Sequence, residues 1–185
     1  MDDVMKLIGG VEKRDIRIVD YDPAWPVRFA AEQGRIVDAL GVIACRIDHI
    51  GSTSVPGLAA KPIIDIDLSV PDVEDESAYL GPLLTTGYQL RVRERGHRMV
   101  RTPQRDVHVH ISTVGSEWER RHLLFRDWLR HDTEDRAAYQ ELKRELSQRD
   151  WIDMNAYADA KGPLISEMTV RAEAWALSVG WSPKN

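Results

Sequence analysis

The chain has 185 residues, 43% of them hydrophobic and 30% charged, which suits one folded globular unit and excludes a disordered, collagenous or solely fibrous protein. Its net charge of −5 gives no overall basic field for gripping nucleic acid phosphates, and no extended nucleic-acid surface is expected. The single cysteine, Cys45, lies in an apolar stretch where burial is expected, and it can form no internal disulfide, which favours a reducing, cytoplasmic setting.

The opening MDDVMKLIGG lacks the basic segment and apolar run of a secretory signal, and no apolar run is long enough to cross a bilayer, so no membrane association is expected. Ile16 to Val19 alternate like a short strand. Asp22-Pro23 then announces a helix, with Asp22 as N-cap, Trp25, Phe29, Ile36, Val37 and Leu40 at helical spacing, and Gly41 as the stop. Val42 to Ile50 is β-branched and reads as a strand running into the tight turn Gly51-Ser52-Thr53-Ser54.

Pro62 to Val70 is the next strand. Alternation places Ile64, Ile66 and Leu68 on one face and Asp65, Asp67 and Ser69 on the other. A helix is predicted over Asp72 to Gly87, then strands over Tyr88 to Arg93, Arg98 to Thr102 and Val107 to Ile111. Beyond Gly115 the pattern is helical throughout. Ser116 with Glu119 forms a capping-box signature, a second helix runs from about Thr133 to Arg149, and a third follows Gly162-Pro163 with Leu164, Met168, Ala172, Trp175 and Val179 in one stripe. The predicted class is therefore α+β. A sheet-and-helix core over residues 16–115 is followed by a helical layer over 116–181, packed together as one unit.

Two aspartates two residues apart on one strand face repel unless a cation or a proton sits between them. A lone DxD on an edge strand is often a solvated pair. Here Ile63, Ile64, Ile66 and Leu68 flank it, so the strand is expected to be buried and a divalent metal is the economical answer. Mg²⁺, or alternatively Mn²⁺, suits one or two carboxylates with phosphate oxygens and water completing its shell. The Gly-Ser turn upstream offers backbone N–H groups and hydroxyls to a phosphate chain. Together these residues describe a metal–triphosphate site. The Gly51 to Lys61 segment does not have Walker spacing, and two H-x-[ST] triplets, at His110 and His131, fall on dissimilar elements. Of the six tryptophans, Trp25, Trp118, Trp128 and Trp175 fall on apolar helix stripes and are assigned to core packing.

The run His49-Ile50-Gly51-Ser52-Thr53-Ser54-Val55-Pro56-Gly57-Leu58, with Asp20-Tyr21-Asp22, Trp25, Phe29, Lys61-Pro62-Ile63-Ile64-Asp65-Ile66, His108-Val109-His110, Phe125-Arg126-Asp127 and Leu129-Arg130, resembles the GrpB family. That resemblance places the chain with the polymerase-β type of nucleotidyltransferase and implies a small twisted mixed sheet with packed helices. It also implies a turn at Gly51, Ser52, Thr53 and Ser54 for the nucleotide phosphates, and Asp65 and Asp67 for the metal. Some domains of this kind occur fused to dephospho-coenzyme A kinase. Where the superfamily has a third carboxylate on a later strand, this chain has His108 and His110. Either is a candidate base for an acceptor hydroxyl, or instead a ligand to a second metal of softer preference such as Mn²⁺ or Zn²⁺, with His110 the one assigned to the metal, and a structural role for one of them stays open.

Lys61, Arg126, Arg130 and Lys161 are candidate phosphate-binding residues, with surface pairing the alternative for the arginines; Lys143 matches a recurring family position. The expected function is metal-dependent transfer of a nucleoside monophosphate from an NTP to a small-molecule or macromolecular acceptor. The alternatives are a metal-dependent phosphoesterase and a nucleotide-binding module without catalysis.

Overall fold

The computed structural model describes residues 5–183. Its centre is a twisted six-stranded mixed sheet in the order β1-β4-β5-β6-β3-β2, built from β1 (Lys6–Leu7), β2 (Arg46–Ile50), β3 (Ile64–Val70), β4 (Gln89–Glu94), β5 (His97–Arg101) and β6 (Val107–Thr113). Neighbours pair antiparallel except β3 and β6, which run parallel in the middle of the sheet. The helices are α1 (Ala24–Leu40), α2 (Leu80–Thr85), α3 (Glu117–His131), α4 (Thr133–Ser147), α5 (Met154–Asp159) and α6 (Gly162–Val179). The α+β class expected from the pattern is the one observed.

Two cores flank the sheet. Ile64, Ile66 and Leu68 of β3 and Val107, Val109 and Ile111 of β6 bury one face against Trp25 and Ile36 of α1 and Leu83 of α2. A second cluster joins Val55 and Leu58, just beyond the Gly51 turn, to Leu124 and Trp128 of α3, Tyr139 of α4 and Met168 and Ala172 of α6. At the start of α3 the Ser116 hydroxyl accepts the Glu119 N–H at 3.4 Å, as the capping signature predicts. The Glu119 carboxylate, however, accepts from Gly115 N–H at 3.3 Å and from the Ser69 hydroxyl of β3, which fastens α3 to the sheet face opposite the first core.

Several local expectations change. Ile16 to Val19 contributes only an isolated bridge, Val19 to Ala60. The stretch after Gly41 begins as a 3₁₀ turn, so the strand starts at Arg46. Helix α1 starts at Ala24, with Asp22 Oδ1 accepting the Ala24 N–H at 2.8 Å. The helix expected over Asp72 to Gly87 shortens to α2, because Asp72 Oδ1 accepts the Glu74 N–H at 2.9 Å and a 3₁₀ turn fills Glu76–Ala78. Strand β1 and helix α5 were not anticipated. Cys45 is exposed rather than buried. No helix of the described residues is long and apolar enough to cross a membrane.

Candidate functional site

The parallel register of β3 and β6 sets Asp65 beside His108 and Asp67 beside His110, on the face turned away from the first core. Both aspartates project from one face, as alternation requires. They do not depend on a shared cation, however, because each has an imidazole. His108 Nδ1 and His110 Nε2 lie 3.4 and 3.7 Å from Asp65 Oδ1, and His122 Nδ1 of α3 lies 2.9 Å from Asp67 Oδ1. Burial opposes ionisation of Asp65, but hydrogen bonds and charge from His108 and His110 prevail and hold its carboxyl far below the usual range. Asp67 is 3% exposed, and its Oδ2 has no partner.

The turn after β2 passes over Asp65. A Cβ on Gly51 would sit 2.7 Å from Asp65 Oδ2, and its φ is +67°, so only glycine fits on both counts. Ser54 donates its hydroxyl to Gly51 O at 2.6 Å, and Thr53 donates to Ile63 O at 3.0 Å, so both hydroxyls hold the turn from within. With the Thr53 proton so directed, the 2.9 Å contact to His49 is an Nε2–H donating to Thr53 Oγ1. Burial pushes His49 down to about 4, with Arg130 and Arg126 adding to it against Asp65, and the neutral ring stacks on Phe29 at 4.9 Å.

Three lysines gather beside this turn. Lys143 of α4 donates to Ser52 Oγ at 2.9 Å and to Ala59 O at 2.5 Å, and sits 4.8 Å from the Tyr139 ring centroid. Lys61 and Lys161 both lie on the Tyr157 ring, at 4.9 and 4.8 Å. Burial first, then the neighbouring ammonium groups, lowers Lys143 to about 7 and Lys161 to about 8; burial also lowers Lys61. Like charges held this close in a half-dry setting favour an anion among them. A cavity of about 180 Å³ is lined by all three lysines with Gly51, Ser52 and Asp65. A second, of about 310 Å³, shares Gly51, Ser52, Asp65 and Tyr139 and adds His110, His122 and Phe125.

His110 is held from behind. Glu94 Oε1 lies 2.8 Å from His97 Nδ1, and His97 Nε2 lies 3.1 Å from His110 Nδ1, with the Trp118 ring stacked on His97 at 4.5 Å. Burial first, then the charges of His110 and His122, pushes His97 down to about 3, so it carries one ring proton. With its Nδ1 proton directed at Glu94, His97 Nε2 accepts from His110 Nδ1, and Nε2 is the His110 nitrogen that faces Asp65.

The two arginines expected at the phosphates are placed differently. Arg126 bonds to Asp127, Asp48 and His49 O, and Arg130 donates to Ser54 O at 3.1 and 2.7 Å. They brace the turn from behind and line neither cavity, whereas Lys61, Lys143 and Lys161 line the smaller one. Sequence reasoning missed His97, Tyr139 and Tyr157. Their signal was faint, because each arrives from a separate element and only the sheet register and helix packing bring them together.

Among the described residues, no three histidine, cysteine or carboxylate side chains converge to hold a metal by themselves. Asp65 and Asp67 nonetheless offer two carboxylates on one face, one with a buried, partnerless oxygen. That donor set fits a hard cation that takes its remaining ligands from phosphate and water.

The family model described as GrpB protein matches residues 15–171. The chain is 51% identical to the UPF0157 protein SCO7215 of Streptomyces coelicolor over 170 residues, covering 92% of this chain and 91% of that one. It is 33% identical to a dephospho-CoA kinase of Mycolicibacterium paratuberculosis, covering 94% of this chain but only half of the kinase. The crystal structure of a conserved protein GrpB from Enterococcus faecalis superposes with a TM-score of 0.76 at 32% identity, covering 86% of this chain and 99% of that one.

Proposed function

The chain belongs to the GrpB family, and from that premise we propose that it is a metal-dependent nucleotidyltransferase, moving a nucleoside monophosphate from an NTP to an acceptor. The observation that carries this reading is the juxtaposition around one turn of three lysines and two same-face carboxylates, the cationic and anionic halves of a metal–triphosphate site. Lys61, Lys143 and Lys161 bind the β and γ phosphates, with the Gly51-Ser52 turn setting their position. A magnesium or manganese ion, held by Asp65 and Asp67, would supply charge neutralisation to the transferring phosphoryl group.

The acceptor oxygen attacks the α-phosphorus, the bond to the bridging oxygen of the β-phosphate breaks, and pyrophosphate leaves. His110 takes the acceptor proton at Nε2, a position held by His97 and Glu94. His108, the other candidate base, contacts Asp65 through Nδ1 and orients that carboxylate.

The test is pyrophosphate release across the four NTPs with Mg²⁺ or Mn²⁺ and a mixed pool of cellular metabolites as acceptor. Release that depends on an NTP and is lost in Asp65→Asn supports the reading. Phosphate release from monoesters without NTP would instead identify a phosphoesterase.

A further inference from the structure

A cavity of about 430 Å³ lies beside the site just described, and His108 and Lys61 line both it and the reaction centre. Its walls come from the irregular segment before α1, from β4 and β5, and from the turn between β5 and β6. Five arginines and Lys61 face it against Glu12, Asp15 and Asp106. In a chain of net charge −5 this is a local excess of three positive charges.

Two of the three carboxylates are themselves engaged, and the third, Asp15, is exposed. Glu12 is clasped by Arg101 at 2.7 and 3.0 Å and approached by Arg105 at 3.5 Å, while Asp106 bonds Arg28 outside the cavity at 2.9 Å. Among the described residues no carboxylate pairs with Arg14, Arg17 or Arg91. Burial lowers the pKa of Arg14 and Arg91, and the neighbouring Arg105 and Arg101 lower both further. Arg105 is the one described non-glycine residue with a left-handed φ, +63°, a strained conformation of the kind that collects at functional sites. Met99 and Met154 give the cavity adaptable apolar wall.

We propose that this cavity binds the acceptor, and that the acceptor is a small molecule carrying a phosphate monoester on a partly apolar body. Guanidinium groups supply the planar donors that a phosphate dianion takes in pairs, and the cavity is of ligand size. The acceptor role rests on the nucleotidyltransferase reading, whereas the binding chemistry does not.

The experiment therefore measures binding with neither nucleotide nor metal, by titration calorimetry of the full chain with phenyl phosphate, and with benzoate as the carboxylate of matching body. Phenyl phosphate is expected to bind at least tenfold more tightly than benzoate. Arg14→Gln and Arg17→Gln should each weaken it tenfold or more, while Arg149→Gln, which removes a charge from an exposed ion pair after α4, leaves it unchanged. Arg17 is exposed and pairs with no carboxylate among the described residues, so its substitution keeps the test free of folding effects. Equal affinity for benzoate, no loss in either arginine variant, or a loss confined to Lys143→Gln would overturn the proposal. Failure of pyrophosphate release with intact phenyl phosphate binding would instead strike at the reaction.

Discussion

The two faces of β3 are opposite in character, one apolar and packed, the other polar and charged. On one, Ile64, Ile66 and Leu68 are fully buried against α1 and α2; on the other, two residues along each time, Asp65, Asp67 and Ser69 meet histidines of β6 and side chains of α3. The dry face supplies packing that holds the strand in register. The polar face inherits that rigidity and uses it to hold charged groups that repel, which a flexible loop would allow to drift apart. Substitutions on the first face should therefore reduce stability, and on the second reduce activity while leaving the fold.

The sharpest break of that division is Asp65→Asn, expected to lower nucleotidyl transfer by ~10³-fold, the scale of losing one preorganised charge contact. Its far-UV circular dichroism should stay native. Ile66→Ala, one residue away and on the dry face, should lose roughly 2–5 kcal/mol of unfolding free energy in urea titrations, with turnover per folded molecule unchanged. Equal effects of both variants on both readouts would dissolve the contrast.

Acid sharpens it differently. His49 and His97 are held neutral by burial, down to about 4 and about 3, whereas unfolded chain protonates them below about 6.5. The unfolded state thus binds more protons, and stability should fall as pH drops from about 6.5 toward 4, by up to about 1.4 kcal/mol per pH unit for each ring. His49→Gln, measured by the same titrations, should flatten that slope. The smallest effect is expected at Asp132, whose Oδ1 accepts the Asp135 N–H at 2.8 Å to start α4. Asp132→Ala should lower stability by about 1 kcal/mol, read as a modest drop in Tm.

Much of the fold was legible because it rests on local periodicity. The alternation of β3 and β6 placed the aspartates on one face correctly, and the Ser116 signature opened α3 where the structure does. Where side chains compete locally with the backbone, the pattern misled: Asp72 turned an expected helix start into a bonded turn, and Gly41 led into a 3₁₀ turn instead of a strand. The two-residue β1 has no periodicity to show, since it exists only through its pairing with β4. The same limit governs the site. Gly51, Ser52, Asp65 and Asp67 stand close in sequence and were found together, but Lys143 meets Ser52 from 91 residues away and His97 reaches His110 across a strand pair. Arg126 and Arg130 showed the right charge at the right distance in sequence, and only their bonds to His49 O and Ser54 O reveal them as braces.

The central claim, that the lysines beside the Gly51-Ser52 turn receive a triphosphate, is tested most directly by ATP affinity in the presence of Mg²⁺ across pH 7 to 9. Lys143 and Lys161, at about 7 and about 8 in the free protein, must be protonated to hold the anion. Affinity should fall as pH rises, by up to roughly tenfold per unit for each proton taken up, and the fall should shrink in Lys143→Gln. An affinity that is flat or rises over that range, or a wild-type profile shared by the variant, would contradict the assignment.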